Sequence, residues 1–575
     1  MDYLKGILVK KFLFLLGLCV LLLGLLPTLA LATSVEGLTA LATFFPADTV
    51  IFAAIRSDDD FIESVNNVLR RIERRTDNPI MTVQDILNQT ISVNSGLTFE
   101  DNIRPWLGDT IAVGVQDFSA RTGPSYVVAV SVTDSDLLAA LLELGAMDSS
   151  SGEEYTQYDF PSTSVRLYGN VLVVSVRGDI LDSFAEGDRL SDSEDFSATL
   201  ELLPESDYNA IVYIQTAEIM AALPAQMEAA NTRDVVTVFC STDAAMQIFN
   251  QFSARGSQAL GFTVVNEWGF AMDFVSRAAE GLNPELSPAT DAAPLDFGFA
   301  ANIPADAPLY VQDTNVGEDV RRAINLLALV FELGIDQSIA DATASGEQVN
   351  QFMDSINRND VRAFINLAFA GFTGLNLEND VLANLNGNTG IYLRFLSDEV
   401  GPFTTDGAIV AEMDGDASER IFNSLNDALT QYEADFSVDD QVITLRLPMP
   451  TPEDPTIDVA VHPTMDLLLG YNDDVFVVGT RSAAEYSLNP DGDSLADTEE
   501  FSAAQAYFLP DAETLLYIDL NFLVPFIDDN LMSNQSQYGN DALKALSLFT
   551  SASITSRVDD DGTAAGRAVI TLRPE

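Results

Sequence analysis

Five oxygen-bearing side chains stand out for their spacing. Asn489, Asp491, Asp493, Asp497 and Glu500 fall at positions 1, 3, 5, 9 and 12 of a twelve-residue stretch, the ligand spacing of a calcium-binding EF-hand loop. Three features oppose that reading. Position 6 is Ser494 and not the glycine a sharp turn requires, the segment before it lacks a convincing helical pattern, and the related stretch earlier in the chain begins with Phe184 and Ala185. What the two stretches share is Asp192-x-x-Asp195 and Asp497-x-x-Glu500 ahead of Phe-Ser-Ala, which predicts a helix N-cap with an acid three residues on. Capping is the expectation, and no metal ligand is assigned.

Nucleophilic and metal-assisted catalysis have few residues to draw on. His462 is the only histidine, Lys544 the only lysine beyond residue 11, and Cys240 the only cysteine beyond Cys19. A Ser-His-Asp triad would have to run through His462, in Ala460-Val-His-Pro463 at a strand end. Gly-x-Ser-x-Gly, Ser-x-x-Lys and Gly-rich phosphate motifs are missing from the sequence, and zinc has no ligand set. A glycosidase needs only two carboxylates, yet none of the 87 acids is marked out from its neighbours, and Trp106 and Trp268 are the only tryptophans. The expectation is a protein that is not an enzyme, with no catalytic residue and no cofactor. Cys240, in Val-Val-Thr-Val-Phe-Cys, reads as a buried apolar residue.

Charge narrows the partners. Asp and Glu outnumber Lys and Arg by 87 to 28, giving a formal charge of −59, which repels nucleic acid and anionic membrane surfaces. A surface so acidic and poor in lysine suits high salt, or serves to keep the chain from aggregating. The one basic cluster, Arg70, Arg71, Arg74 and Arg75, lies at the end of a helical pattern that Asp58 to Asp60 begin. It complements the helix dipole and pairs with nearby acids.

The elements that must position these groups begin after a leader. Lys5, Lys10 and Lys11 precede the apolar run Phe12 to Leu26, then Pro27 and Ala30-Leu31-Ala32, a secretory signal cleaved after Ala32. Left uncleaved, Phe12 to Ala32 could just span a bilayer and tether the chain. With one cysteine left, no internal disulfide can form, so the cores must hold the fold.

The remainder repeats itself. Gly187 to Ala198 and Gly492 to Ala503 share eight of twelve residues. In the same order, Pro46-Ala47-Asp48 returns at Pro304-Ala305-Asp306, Asn170-Val-Leu-Val-Val at Asp474-Val-Phe-Val-Val, and Ile211-Val-Tyr-Ile at Leu515-Leu-Tyr-Ile. A colinear series of this length predicts duplication of a whole domain. The expected units are residues 33–278 and 297–575, with a proline-bearing linker at 279–296 and a helical insertion at about 330–372 in the second. Alternating runs predict hairpins that close each unit, Ala259 to Val265 with Gly269 to Val275 and Ala552 to Val558 with Ala565 to Leu572. Leu447 to Pro455 predicts an exposed proline-rich loop. The class is α+β, each unit a mainly antiparallel sheet with packed helices.

Three features carry a resemblance: Phe45-Pro46-Ala47-Asp48-Thr49 leading a strand, Pro105-Trp106-Leu107-Gly108 before Asp109-Thr-Ile-Ala-Val, and Leu-x-Asp-x-x-x-Phe-x-Ala at Leu190 and Leu495. With these the chain resembles the secreted bacterial family catalogued as domain of unknown function 3352. The second half departs from the pattern, with Ala383-Asn384 in place of Pro105-Trp106. The resemblance implies a secreted, envelope-associated protein and transfers no catalytic residues. The functional expectation is a non-catalytic exported protein whose paired domains bind a protein partner or an apolar ligand between them; a calcium-dependent adhesion protein is the alternative.

Overall fold

A computed structural model describes residues 33–76, 81–95, 98–117, 125–160, 163–175, 181, 187–219, 255–264, 269–278, 292–345, 357–395, 405–448, 464–527, 546–559 and 561–573. The leader, Cys240, the turn through Trp268, most of the linker, His462, most of the proline-rich loop and Lys544 lie outside the described residues.

Twenty strands form one sheet. In chain order they are β1 (Ile51–Arg56), β2 (Leu107–Asp117), β3 (Ser125–Val132), β4 (Asp148–Ser151), β5 (Thr156–Phe160), β6 (Thr163–Tyr168), β7 (Val171–Ser175), β8 (Ala210–Ile214), β9 (Arg255–Val264) and β10 (Gly269–Ala278). The second ten are β11 (Leu309–Asp313), β12 (Thr389–Phe395), β13 (Thr405–Glu412), β14 (Phe436–Asp439), β15 (Val442–Pro448), β16 (Thr464–Tyr471), β17 (Val475–Thr480), β18 (Thr514–Asp519), β19 (Phe549–Val558) and β20 (Ala564–Leu572). Val is the commonest residue in these runs, and side chains alternate between a buried and a half-covered face, as in Ile51–Arg56.

Across the sheet the order is β4-β5-β6-β7-β3-β2-β1-β8-β9-β10, then β20-β19-β18-β11-β12-β13-β17-β16-β15-β14, antiparallel throughout. Read inward from either end, the order is the same. The sequence leads one to expect a separate sheet in each half; instead β10 and β20 pair from Gly269 with Thr571 to Ser276 with Ala564 and fuse the two. Each closing hairpin would otherwise leave an edge of unpaired N–H and C=O groups, and joining the two removes both.

Helices follow the same plan. Helix α1 (Asp59–Thr76) and α2 (Val83–Ser95) follow β1, α3 (Ser135–Gly145) follows β3, and α4 (Glu194–Leu200) precedes β8. In the second half α5 (Val316–Ser345) and α6 (Arg358–Thr373) follow β11, α7 (Gly415–Gln431) follows β13, α8 (Arg481–Leu488) follows β17, α9 (Glu499–Gln505) precedes β18 and α10 (Leu520–Ile527) follows it. The region read as an insertion is thus a helix pair in the chain position of α1 and α2, with longer members. Local chemistry sets the ends. Asp58 accepts from the Phe61 N–H at 3.0 Å, and Asn357 and Asp360 form a reciprocal capping box on α6, which ends at Gly374 with φ of 76°.

The main core lies along one face of the sheet and runs through both halves. In the first, Phe52, Phe196 and Tyr213 pack edge to face; in the second, Tyr310, Phe501 and Tyr517 do so. A second cluster covers the other face at the β10–β20 junction, where Phe61, Val65, Val68 and Leu69 of α1 meet Leu520 and Val524 of α10 over Phe270, Phe549 and Leu572. Among the described residues, no helix is long and apolar enough to cross a membrane.

Candidate functional site

The acidic stretch does not assemble. Asp497 turns back to accept from the Ser494 N–H at 3.1 Å and the Ser494 hydroxyl at 2.6 Å, and Glu500 accepts from Asn521 Nδ2 at 3.3 Å. These bonds hold the Asp497 carboxyl below the usual carboxylate range. Asn489 ends α8. Among the described residues no group of three His, Cys, Asp or Glu side chains is placed to hold a metal ion. Nor are Asp192 and Asp497 the helix caps. Ser193 and Thr498, each one residue on, accept from the N–H groups of Phe196 and Phe501, while the aspartates close a 3₁₀ turn before them. The hydroxyl residue wins because its short side chain reaches the N–H three residues ahead. In the basic cluster, Arg70 pairs with Glu63 and donates to Asn67 Oδ1 at 2.8 Å.

A cavity of about 270 Å³ lies instead at the junction. Its floor is the four central strands. Phe262 on β9 opposes Met272 on β10, Met272 opposes Ala568 on β20, and Ala568 opposes Ile554 on β19. The neighbouring row continues Phe270, Ile570 and Ala552. Phe61 at the start of α1 forms a wall. The space exists because β20 presents Ala568 across from the large Met272 of β10, and β19 presents Ala552 across from Ile570. Next along, Gly566 leaves its place to the ring of Phe274, which lies over it where a Cβ would stand. Ile554 remains 43% exposed and marks the mouth.

Among the described residues, none that lines the cavity carries a charge; Asn209, Thr263 and Ser553 are the polar ones. In a chain with 87 acids this is a marked exclusion. No described lining residue can act as a general acid or base, and the described lining suits holding apolar matter by removing it from water.

On the opposite face of the same strands sits an ion pair. Arg567 of β20 opposes Asp273 of β10 and donates through Nε at 2.6 Å and Nη2 at 2.9 Å to its two carboxylate oxygens. Nη2 also donates to Glu205 at 2.7 Å, and the Tyr208 hydroxyl donates to Asp273 at 2.7 Å. Asp273 is fully buried and Arg567 nearly so. Burial works against the guanidinium charge, but the bonds and charge of Asp273, then of Glu205, outweigh it and raise the Arg567 pKa. Burial and then the Asp273 charge push the Tyr208 hydroxyl well up.

Asp273 and Arg567 hold the same place in their hairpins. Asp273 faces Gly261, which faces Ile211; Arg567 faces Thr555, which faces Leu515. The pair therefore stands at the centre of the sheet's repeat, where like residues would repel. Neither residue is singled out by motif. The available signal was a lone charge of opposite sign inside each closing apolar run, Phe270-Ala-Met-Asp-Phe-Val and Ala565-Gly-Arg-Ala-Val.

A family model described as a protein of unknown function, DUF3352, matches residues 9–572. No curated protein matches the chain. Among solved structures, crystal forms IV and I of TP0453 align at 13% and 12% identity over 41% of this chain and 79% of theirs, with TM-scores of 0.22 and 0.21.

Proposed function

The chain belongs to the DUF3352 family, and from that footing we propose that it is a non-catalytic exported protein, secreted or held at the cell envelope, which binds an apolar ligand where two duplicated units join. The single observation that carries this reading is the uncharged cavity on the β9-β10-β20-β19 floor. Duplication of residues 33–278 and 297–575 is supported by the colinear sequence matches and by ten strands taken in one order from either end of the sheet. Export is supported by the leader pattern in residues 1–32. The cavity draws on both units equally, so neither alone would make it.

Titration with an uncharged dye that fluoresces in apolar surroundings tests this. Wild type is expected to bind near one equivalent. Ala568→Phe, which fills the floor, and Ile554→Arg, which charges the mouth while leaving the core intact, are expected to lose at least tenfold in affinity. Equal binding by wild type and by a folded Ile554→Arg variant would place the dye elsewhere and sink the proposal.

A further inference from the structure

We infer that the occupant is a single unbranched hydrocarbon chain of about eleven carbons with an uncharged head, an inference that rests on the junction cavity being the binding site. Length follows from the floor. It crosses four strands, and three gaps of about 4.8 Å make a trough roughly 14 Å long. An extended chain with bonds near 1.5 Å advances about 1.25 Å per carbon, so about eleven carbons fill it.

Width follows from volume. A volume of about 270 Å³ drawn out over that length is a groove longer than it is wide, a shape that an extended alkyl chain matches. The two small side chains of the floor, Ala552 and Ala568, sit on adjacent strands, so the groove runs across the strands and not along them.

Charge follows from the lining. A carboxylate or phosphate in the trough would meet no cation, because Arg567 points to the other face and is saturated by Asp273 and Glu205. Acid-rich surroundings would repel it further. A cationic head would reach no carboxylate of the described lining, none of which is acidic. Hydroxyl or ester heads remain, of the kind Asn209 can accompany.

Calorimetric titration of the extracted full chain with primary alcohols of increasing length tests this, with fatty acids at pH 8 and a fused-ring hydrocarbon alongside. Affinity is expected to rise about fourfold per methylene, to level off near eleven carbons, and to be at least tenfold weaker for the ionised acids. A rise that continues unbroken to about sixteen carbons, or equal binding of the ionised acids, overturns the inference. Binding of the fused ring without the alcohols overturns the ligand class but leaves the cavity as a site, whereas failure of every probe, with Ile554→Arg behaving as wild type, removes the site itself. Binding that begins only once residues 1–32 are deleted makes the leader the occupant and overturns the lipid assignment.

Discussion

The two halves hang ten strands in the same order, yet beneath the shared aromatic stack their polar contents differ. In the first half the Tyr213 hydroxyl donates to Asp195 at 2.7 Å, and Asp195 also accepts from Arg277 Nη1 at 2.6 Å and from Ser257. Burial pushes the Tyr213 hydroxyl up to about 12. At the corresponding places in the second half, Glu500 turns to Asn521, Thr571 replaces Arg277 and bonds Ser551 at 2.7 Å, and the buried Tyr517 hydroxyl has no partner among the described residues. The aromatic packing is common to both halves, and the charges are not. At the junction the same divergence is constructive, since Asp273 and Arg567 are unlike residues at one repeated position.

If the junction pair holds the halves together, the largest effect belongs there. Asp273→Ala leaves the buried Arg567 guanidinium with Glu205 alone and is expected to cost about 3–5 kcal/mol in urea unfolding. Asp195→Ala breaks a pair whose partners are 38% and 44% exposed, and is expected to cost about 1–2 kcal/mol. Equal losses would break the contrast between a fused junction and a solvated hub.

A finer test lies in the paired tyrosines. Tyr213→Phe should destabilise by about 1 kcal/mol through its lost bond to Asp195, while Tyr517→Phe should be neutral or stabilising because it removes an unsatisfied hydroxyl from the core. Melting temperatures of both variants decide it, and a shared sign would contradict the comparison.

The halves also differ at one equivalent position of β1 and β11, Ile55 in one and Asp313 in the other. Burial, against a bond from the Asn315 N–H and with Asp319 adding to it, raises the Asp313 carboxyl to about 6. Folded Asp313 thus holds its proton more tightly than the unfolded chain does. Its contribution is present below about pH 4 and is lost as pH rises to about 6. Asp313→Asn should flatten that part of the stability profile, and an unchanged slope would assign it to other groups.

The smallest effect is expected at the acidic stretch. Asp491→Asn with Asp493→Asn should leave the melting temperature in calcium unchanged, because Asp497 and Glu500 are bonded to Ser494 and Asn521. A calcium-dependent loss would restore the loop as a metal site.

Local features were legible in the sequence. The strands of the closing hairpins follow from alternation, and they pair where expected. Fusion of the halves was not legible, because β10 and β20 are each ordinary alternating runs and nothing local names a partner almost three hundred residues away. The cavity is a consequence of that register. Ala568 and Ala552 are unremarkable until they are seen opposite Met272 and Ile570. The acidic spacing is regular along the chain, and the structure engages Asp497 with Ser494 and Glu500 with Asn521.

The most direct test is the mass, under native conditions, of the protein taken from its own type of host, beside the Ile554→Arg variant. The account requires extra mass of a small lipid on the wild type, surviving chelation, released on denaturation and missing from the variant. Bare protein in both, or the same added mass on both, would contradict it.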